Sequence, residues 1–159
     1  MNIKNKQTKS IMILLLLVIT LCSLVYGTVI HVPGDYSTIQ LGLNNASEGD
    51  TVLVESGTYI ENIIWPDVDN ITLTGENTNE CIIDGGSNGV VINCFTSQDE
   101  RNATIRGFTI QNGSNEDEGV EPGSGTALKF NLFTMNLNNI ICIDNDAEDN
   151  IIFLNHSNS

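Results

Sequence analysis

Ten residues, Thr104-Ile105-Arg106-Gly107-Phe108-Thr109-Ile110-Gln111-Asn112-Gly113, restrict this chain to a narrow set of folds. Apolar residues fall at Ile105, Phe108 and Ile110, a glycine interrupts the run after Arg106, and an Asn-Gly pair closes it. The segment reads as two short strands meeting at a bend. Neither is long enough for a free-standing hairpin or a helix. Such a segment becomes stable only by stacking on similar segments above and below, each burying its apolar face on the next.

The rest of the chain supplies those neighbours. Short β-branched runs separated by Gly, Asn and Asp occur at Val29 to Val32, Thr51 to Val54, Asn70 to Thr74 and Cys81 to Asp84, then at Gly89 to Asn93, Thr126 to Phe130, Asn139 to Ile143 and Ile151 to Leu154. Only one segment after the leader looks helical, so there is no βαβ rhythm. The spacing of the runs suits an all-β solenoid first and a sandwich second.

The chain opens with Lys4, Lys6 and Lys9, then runs through Ile11-Met12-Ile13-Leu14-Leu15-Leu16-Leu17-Val18-Ile19 to Val25-Tyr26-Gly27. A basic start, an apolar core and a small residue at the end read as a secretory signal peptide over residues 1–27, cut after about Gly27. The apolar run is shorter than the ~20 residues a membrane span needs, so the membrane enters only through the leader. Removing it takes three of the six basic residues and none of the twenty acidic ones, leaving 3 against 20 and a net charge of −17 instead of −14. A surface this acidic argues against nucleic acid and anionic membranes as partners. Residues 28–159 suffice for one domain with a real core. Cys81, Cys94 and Cys142 survive cleavage; they show no metal spacing and no disulfide framework, which leaves either one bridge, Cys81 with Cys94, or buried free thiols.

Val29 to Val32 ends at Pro33-Gly34, and Ser37-Thr38-Ile39-Gln40 then has the capping-box pattern, with Ile39, Leu43 and Ala46 on one helical face. This predicts one short helix, stopped near Glu48-Gly49, that seals the first turn of the stack as terminal caps do in repeat proteins. Residues 28–50 would thus be strand and cap, and residues 51–159 the stacked turns.

From Gly49 the chain reads Gly49-Asp50-Thr51-Val52-Leu53-Val54, Gly57-Thr58-Tyr59-Ile60-Glu61-Asn62-Ile63, Ile71-Thr72-Leu73-Thr74-Gly75 and Ile82-Ile83-Asp84-Gly85. In this order the motifs resemble the N-terminal part of secreted right-handed parallel β-helix proteins, the pectin-lyase-like superfamily, over residues 28 to 155. Non-enzymatic repeat proteins of bacterial surfaces are the nearest likeness, and Gly107-Phe108-Thr109-Ile110-Gln111-Asn112-Gly113 resembles the repeat they carry. The resemblance implies a right-handed parallel β-helix with turns of about 20 to 30 residues, of which roughly four to five fit. The 21 asparagines suit it, since Asn tolerates left-handed backbone at corners and stacks into amide ladders. No capping helix follows Leu154, so the expected stack lacks its C-terminal cap, and Ser159 reads as a truncated end or one that a partner covers.

Enzymes of that superfamily use calcium clusters with a catalytic Arg or Lys, paired aspartates in Gln-Asp-Thr-Leu contexts, or Gly-His-Gly. None of these motifs stands in this sequence, and no catalytic residue is assigned. Arg106 points outward by alternation, a position where a sugar carboxylate could meet it but which is far more often merely solvated. Asp84, Asp144 and Asp146 sit at strand ends. Asp144, Asp146 and Asp149, like the acidic loop at 116–121, are candidate Ca²⁺ ligands, with solvated turns the commoner case and no cofactor required. Gly57, Tyr59 and Glu61 read as structural, the glycine turning the chain and the tyrosine packing with a polar tip; Gly107, Phe108, Asn112 and Gly113 read likewise. Trp65 offers either a sugar-stacking ring or cover for a core edge. Five Asn-x-Ser/Thr sequons, at Asn45, Asn70, Asn102, Asn112 and Asn155, matter only in a eukaryotic secretory route.

The expectation is therefore a secreted or cell-surface scaffold or adhesion module, non-catalytic, whose partners are polysaccharide or other surface proteins. The alternative is the N-terminal part of a polysaccharide-active enzyme, pectate lyase- or pectinesterase-like, whose catalytic turns lie beyond Ser159.

Overall fold

The computed structural model describes residues 9–14, 27–96, 101–114, 127–131, 133–145 and 153–155. Among the described residues two short helices, α1 (residues 9–14) and α2 (Ile39–Asn44), accompany eleven strands. The strands are β1 (Val29–Val32), β2 (Thr51–Val54), β3 (Gly57–Ile60), β4 (Ile63–Ile64), β5 (Ile71–Gly75), β6 (Cys81–Asp84), β7 (Ile92–Phe95), β8 (Arg101–Gln111), β9 (Leu128–Asn131), β10 (Phe133–Ile143) and β11 (Phe153–Asn155). Among the described residues no helix is long and apolar enough to cross a membrane.

Among the described residues every strand pairing is parallel, and the pairings fall into three ladders. The first runs β1, β2, β5, the front half of β8 and the front half of β10; the second runs β3, β6 and the back halves of β8 and β10; the third runs β4, β7, β9 and β11. From β2 onward the chain visits the first, second and third ladders in that order and then repeats the circuit. The bend inferred at Gly107 is where β8 passes from one ladder to the next: residues 103–106 pair with β5 and residues 109–111 with β6.

Gly107 has φ +77°, and a Cβ there would stand 2.6 Å from the Gly75 carbonyl oxygen, while a Cβ on Gly75 would stand 2.3 Å from the Gly107 oxygen. Two backbones touch at this corner, and only glycine permits that. One strand further on the corner is taken by Asn139, φ 54°, where asparagine carries the left-handed turn.

Alternation along each strand sends one set of side chains inward. Ile30, Val52, Leu73, Ile105 and Leu137 line up in register on the first ladder, Ile83 and Ile110 on the second, and Ile63, Ile92 and Leu128 on the third. All belong to one apolar cluster; at β10 Phe133 is buried in it, while Met135, Leu137, Ile140 and Cys142 are only partly buried. Cys81 and Cys94 are buried free thiols and Cys142 is a half-buried one, so the Cys81–Cys94 bridge does not form; both cysteines act as small apolar core residues.

Helix α2 packs on β1, β2 and β4 through Ile39, Gly42 and Leu43. The expected cap differs in detail. Thr38, not Ser37, is the N-cap, its hydroxyl accepting from Leu41 N at 3.1 Å. The Gln40 side chain faces away from the cap and grips β4, accepting from Ile64 N at 2.8 Å and donating to Ile64 O at 2.9 Å. The reciprocal carboxylate comes instead from Glu61, whose two oxygens accept from Ile39 N and Gln40 N, each at 2.9 Å. These are orphan N–H groups of the first helical turn, and an anion there also faces the positive end of the helix dipole. The helix closes at Asn44, earlier than Glu48-Gly49, because the Asn45 N–H turns back onto Gly42 and Leu43 carbonyls.

Candidate functional site

The first ladder presents an outer surface of unusual composition for this chain. Strands favour threonine, and at alternate positions its hydroxyl faces away from the core. Thr51, Thr72, Thr104 and Asn136 stand in register across four strands; beside them Leu53, Thr74, Arg106 and Asn138 form a second column. Asn102 pairs with Thr134, and Asn70 precedes Ile71, which pairs with Ala103, so a third column runs Asn70, Asn102, Thr134. Neighbours along a column are about 4.8 Å apart.

A shallow depression of about 330 Å³ lies on this face, lined by Asn70, Thr72, Asn102, Thr104, Thr134 and Asn136 over Ala103 and Met135. Arg106 lies flat along the surface, its Nε donating to Thr74 Oγ1 at 3.1 Å, which leaves Thr74 only 9% exposed.

The chain carries twenty acidic residues, yet none occupies an outward position of these columns. At the rim, the carboxylates of Asp69 and Asp67 are both engaged. Asp69 accepts from Asn102 N at 2.7 Å, Asn102 Nδ2 at 3.2 Å and Asn70 N at 2.9 Å, and the Asn102 backbone bond foremost holds it below the ordinary carboxylate range. Asp67 meets Arg101 Nε at 3.1 Å, with side chains 48% and 22% exposed, a pair worth little at such a surface. Apart from Leu53, these columns are an array of neutral donors and acceptors crossed by the Arg106 guanidinium. Chemically they can hydrogen-bond a polyhydroxyl surface without displacing a counter-ion.

The other residues singled out from the sequence fall elsewhere. Gly57 opens β3 with no left-handed φ, and a Cβ there would meet the Tyr59 ring at an ordinary 3.5 Å, so neither dihedral nor space demands a glycine at this position. Tyr59 packs on the core and its hydroxyl donates to Glu55 O at 3.0 Å. Phe108 is fully buried. Trp65 is 2% exposed, so it is a core ring and no sugar platform. His31 is exposed on β1, and His156 lies outside the described residues.

At the second corner Asn112, φ 53°, donates through Nδ2 to Asp84 Oδ2 at 2.8 Å, beside Gln111 Nε2 at the same distance, and Gly86 N reaches Asp84 Oδ1 at 2.8 Å. Burial raises the Asp84 carboxyl, but the bonds from Gln111, Gly86 and Asn112 outweigh it and leave the group below its ordinary range.

Of the calcium candidates, Asp144 is exposed at a left-handed turn, φ 51°, its carbonyl accepting from Asn112 N; Asp146, Asp149 and the 116–121 loop lie outside the described residues. The residue between them behaves differently. Asn145 is buried, its Oδ1 accepting from Gly113 N at 2.8 Å and its Nδ2 donating to Ile143 O at 3.0 Å and Ile110 O at 3.2 Å. It clamps the end of β10 onto the end of β8. Among the described residues no group of three or more His, Cys, Asp or Glu could hold a metal ion.

The Thr/Asn face also escaped the sequence reading, although its signal was there in Thr72-x-Thr74, Asn102-x-Thr104 and Thr134-x-Asn136-x-Asn138. Compared with known proteins, the chain matches no family model and no curated protein.

Proposed function

We propose that this chain is a right-handed parallel β-helix of the pectin-lyase-like kind, secreted or held at a cell surface, that serves as a non-catalytic scaffold contacting uncharged glycans. The cyclic order of the three parallel ladders supports the β-helix reading, together with the resemblance of the Gly49 to Gly85 motifs. The observation that carries the glycan reading is the absence of carboxylates from the three adjoining columns Asn70–Thr134, Thr51–Asn136 and Leu53–Asn138, in a chain of net charge −14. A polyuronate would be repelled by the protein as a whole, whereas a neutral polymer meets amides, hydroxyls and the Arg106 guanidinium without a carboxylate among them. Because multiple shallow contacts add along a polymer, modest affinity per sugar suffices for attachment.

The test is native affinity electrophoresis through gels containing hydroxyethyl cellulose, mannan, galactan or polygalacturonate. Retardation by at least one neutral polymer is expected, with a roughly tenfold or larger loss in the triple variant Thr72→Val, Thr104→Val, Thr134→Val, which keeps the β-branched shape and removes three hydroxyls. A chain unretarded by every neutral polymer, or a triple variant that binds as before, would overturn the reading. Release of reducing ends or of unsaturated uronate from any polymer would favour the enzymatic alternative.

A further inference from the structure

Thr28 enters the first ladder just ahead of β1, its carbonyl accepting from Thr51 N at 2.8 Å. Its backbone N donates to Asp50 Oδ1 at 2.6 Å and its hydroxyl to the same oxygen at 3.1 Å, while Asp50 Oδ2 accepts from Ser47 N at 2.8 Å. Asp50 is 6% exposed. All of these donors are neutral, whereas carboxylates this deeply placed are ordinarily paired with a cation. The ionisable groups on the segments bonded to this corner are carboxylates too: Glu48, two residues before Asp50, which accepts from Asn70 Nδ2, and Asp69, which accepts from Asn70 N.

The preceding residue is just as constrained. A Cβ on Gly27 would stand 1.8 Å from the Gly49 carbonyl oxygen, so the uncut chain can leave this corner only through a glycine.

We infer that cleavage between Gly27 and Thr28 supplies the missing cation: the new α-ammonium of Thr28 pairs with Asp50, and the mature fold is thereby more stable than the precursor. The inference rests on the leader reading for the position of the cut. A peptidase of the secretory route adds water across the Gly27–Thr28 amide; Gly27 keeps the hydroxyl as a carboxylate. Thr28 N takes the proton, gains another from solvent at neutral pH, and has three donors where it had one. A charge-assisted bond then replaces a neutral one at the same atoms. Paired with the Asp50 carboxylate, the ammonium holds its proton above the ordinary α-amino pKa of about 8. Its contribution is therefore complete below about pH 8 and is lost as pH rises through the higher folded-state pKa.

The test compares chains of residues 28–159 beginning with a free Thr28 amine, the same chain N-acetylated, and one beginning at Gly27, melted between pH 6 and 10. The free-amine chain is expected to melt higher at pH 6–7 by on the order of 5 °C, the advantage fading above about pH 8, and Asp50→Asn to abolish the difference. Equal melting at every pH overturns the inference. Should Asp50→Asn fail to fold, acylation of the wild-type amine against pH decides: protection relative to a Thr-initiated peptide is expected, and equal reactivity overturns the pairing. Sequencing the N-terminus of the native secreted product separates the two layers. An uncut or differently cut product sinks the leader reading and the inference with it, whereas a Thr28 start without a melting difference sinks the inference alone.

Discussion

Gly107→Val is expected to lower stability by about 3–5 kcal/mol in urea denaturation, enough to unfold much of a marginal domain. Two costs add. The left-handed backbone at φ +77° disfavours any β-branched residue by about 1–2 kcal/mol. The new Cβ would also fall 2.6 Å from the Gly75 oxygen, within a contact between neighbouring strands that cannot open without parting β5 from β8. Gly107→Asn should fall between wild type and valine, because asparagine accepts the dihedral but not the contact. Equal and small losses for both would mean that the corner is not where the strands turn.

Trp65→Ala is expected to cost a similar ~3–5 kcal/mol, since it empties the volume of a ring that is 2% exposed within the shared core. The informative part is what should not change. Measured on the folded fraction at low temperature, retardation by a neutral glycan should match wild type, because Trp65 is buried in the core and does not line the Thr/Asn face. A variant that folds normally but no longer binds would place the tryptophan in a sugar site after all.

Sequence legibility followed the range of the interactions. Ile105, Phe108 and Ile110 announce their inward faces by local alternation, and Gly107 announces the bend, because both signals lie within a few residues. The β6 strand was readable to the residue for the same reason. Glu61 was not: its partners Ile39 and Gln40 lie more than twenty residues upstream, and a carboxylate after Gly-Thr-Tyr-Ile carries no local mark of capping a helix. Asn145 carried no mark of its role, because a buried clamp and an exposed ligand use the same amide oxygen, and only the fold brings Gly113 N to it. Trp65 was ambiguous because an isolated aromatic has no periodicity to betray its side. The Thr/Asn face lay between these cases; each strand shows its alternation, but the face exists only once the register aligns Thr72 with Thr104 and Thr104 with Asn136.

That register is the most direct test of the fold and of the face together. Thr72→Cys combined with Thr104→Cys places thiols on adjacent parallel strands, about 4.8 Å apart and within the span a disulfide bridges. Thr51→Cys combined with Thr104→Cys places them two strands apart, about 9.6 Å and out of reach. After mild oxidation and proteolysis, peptide mass should reveal the 72–104 crosslink in high yield and no 51–104 crosslink. Absence of the first, or appearance of the second, would contradict the parallel register on which both the fold and the glycan-contacting face depend.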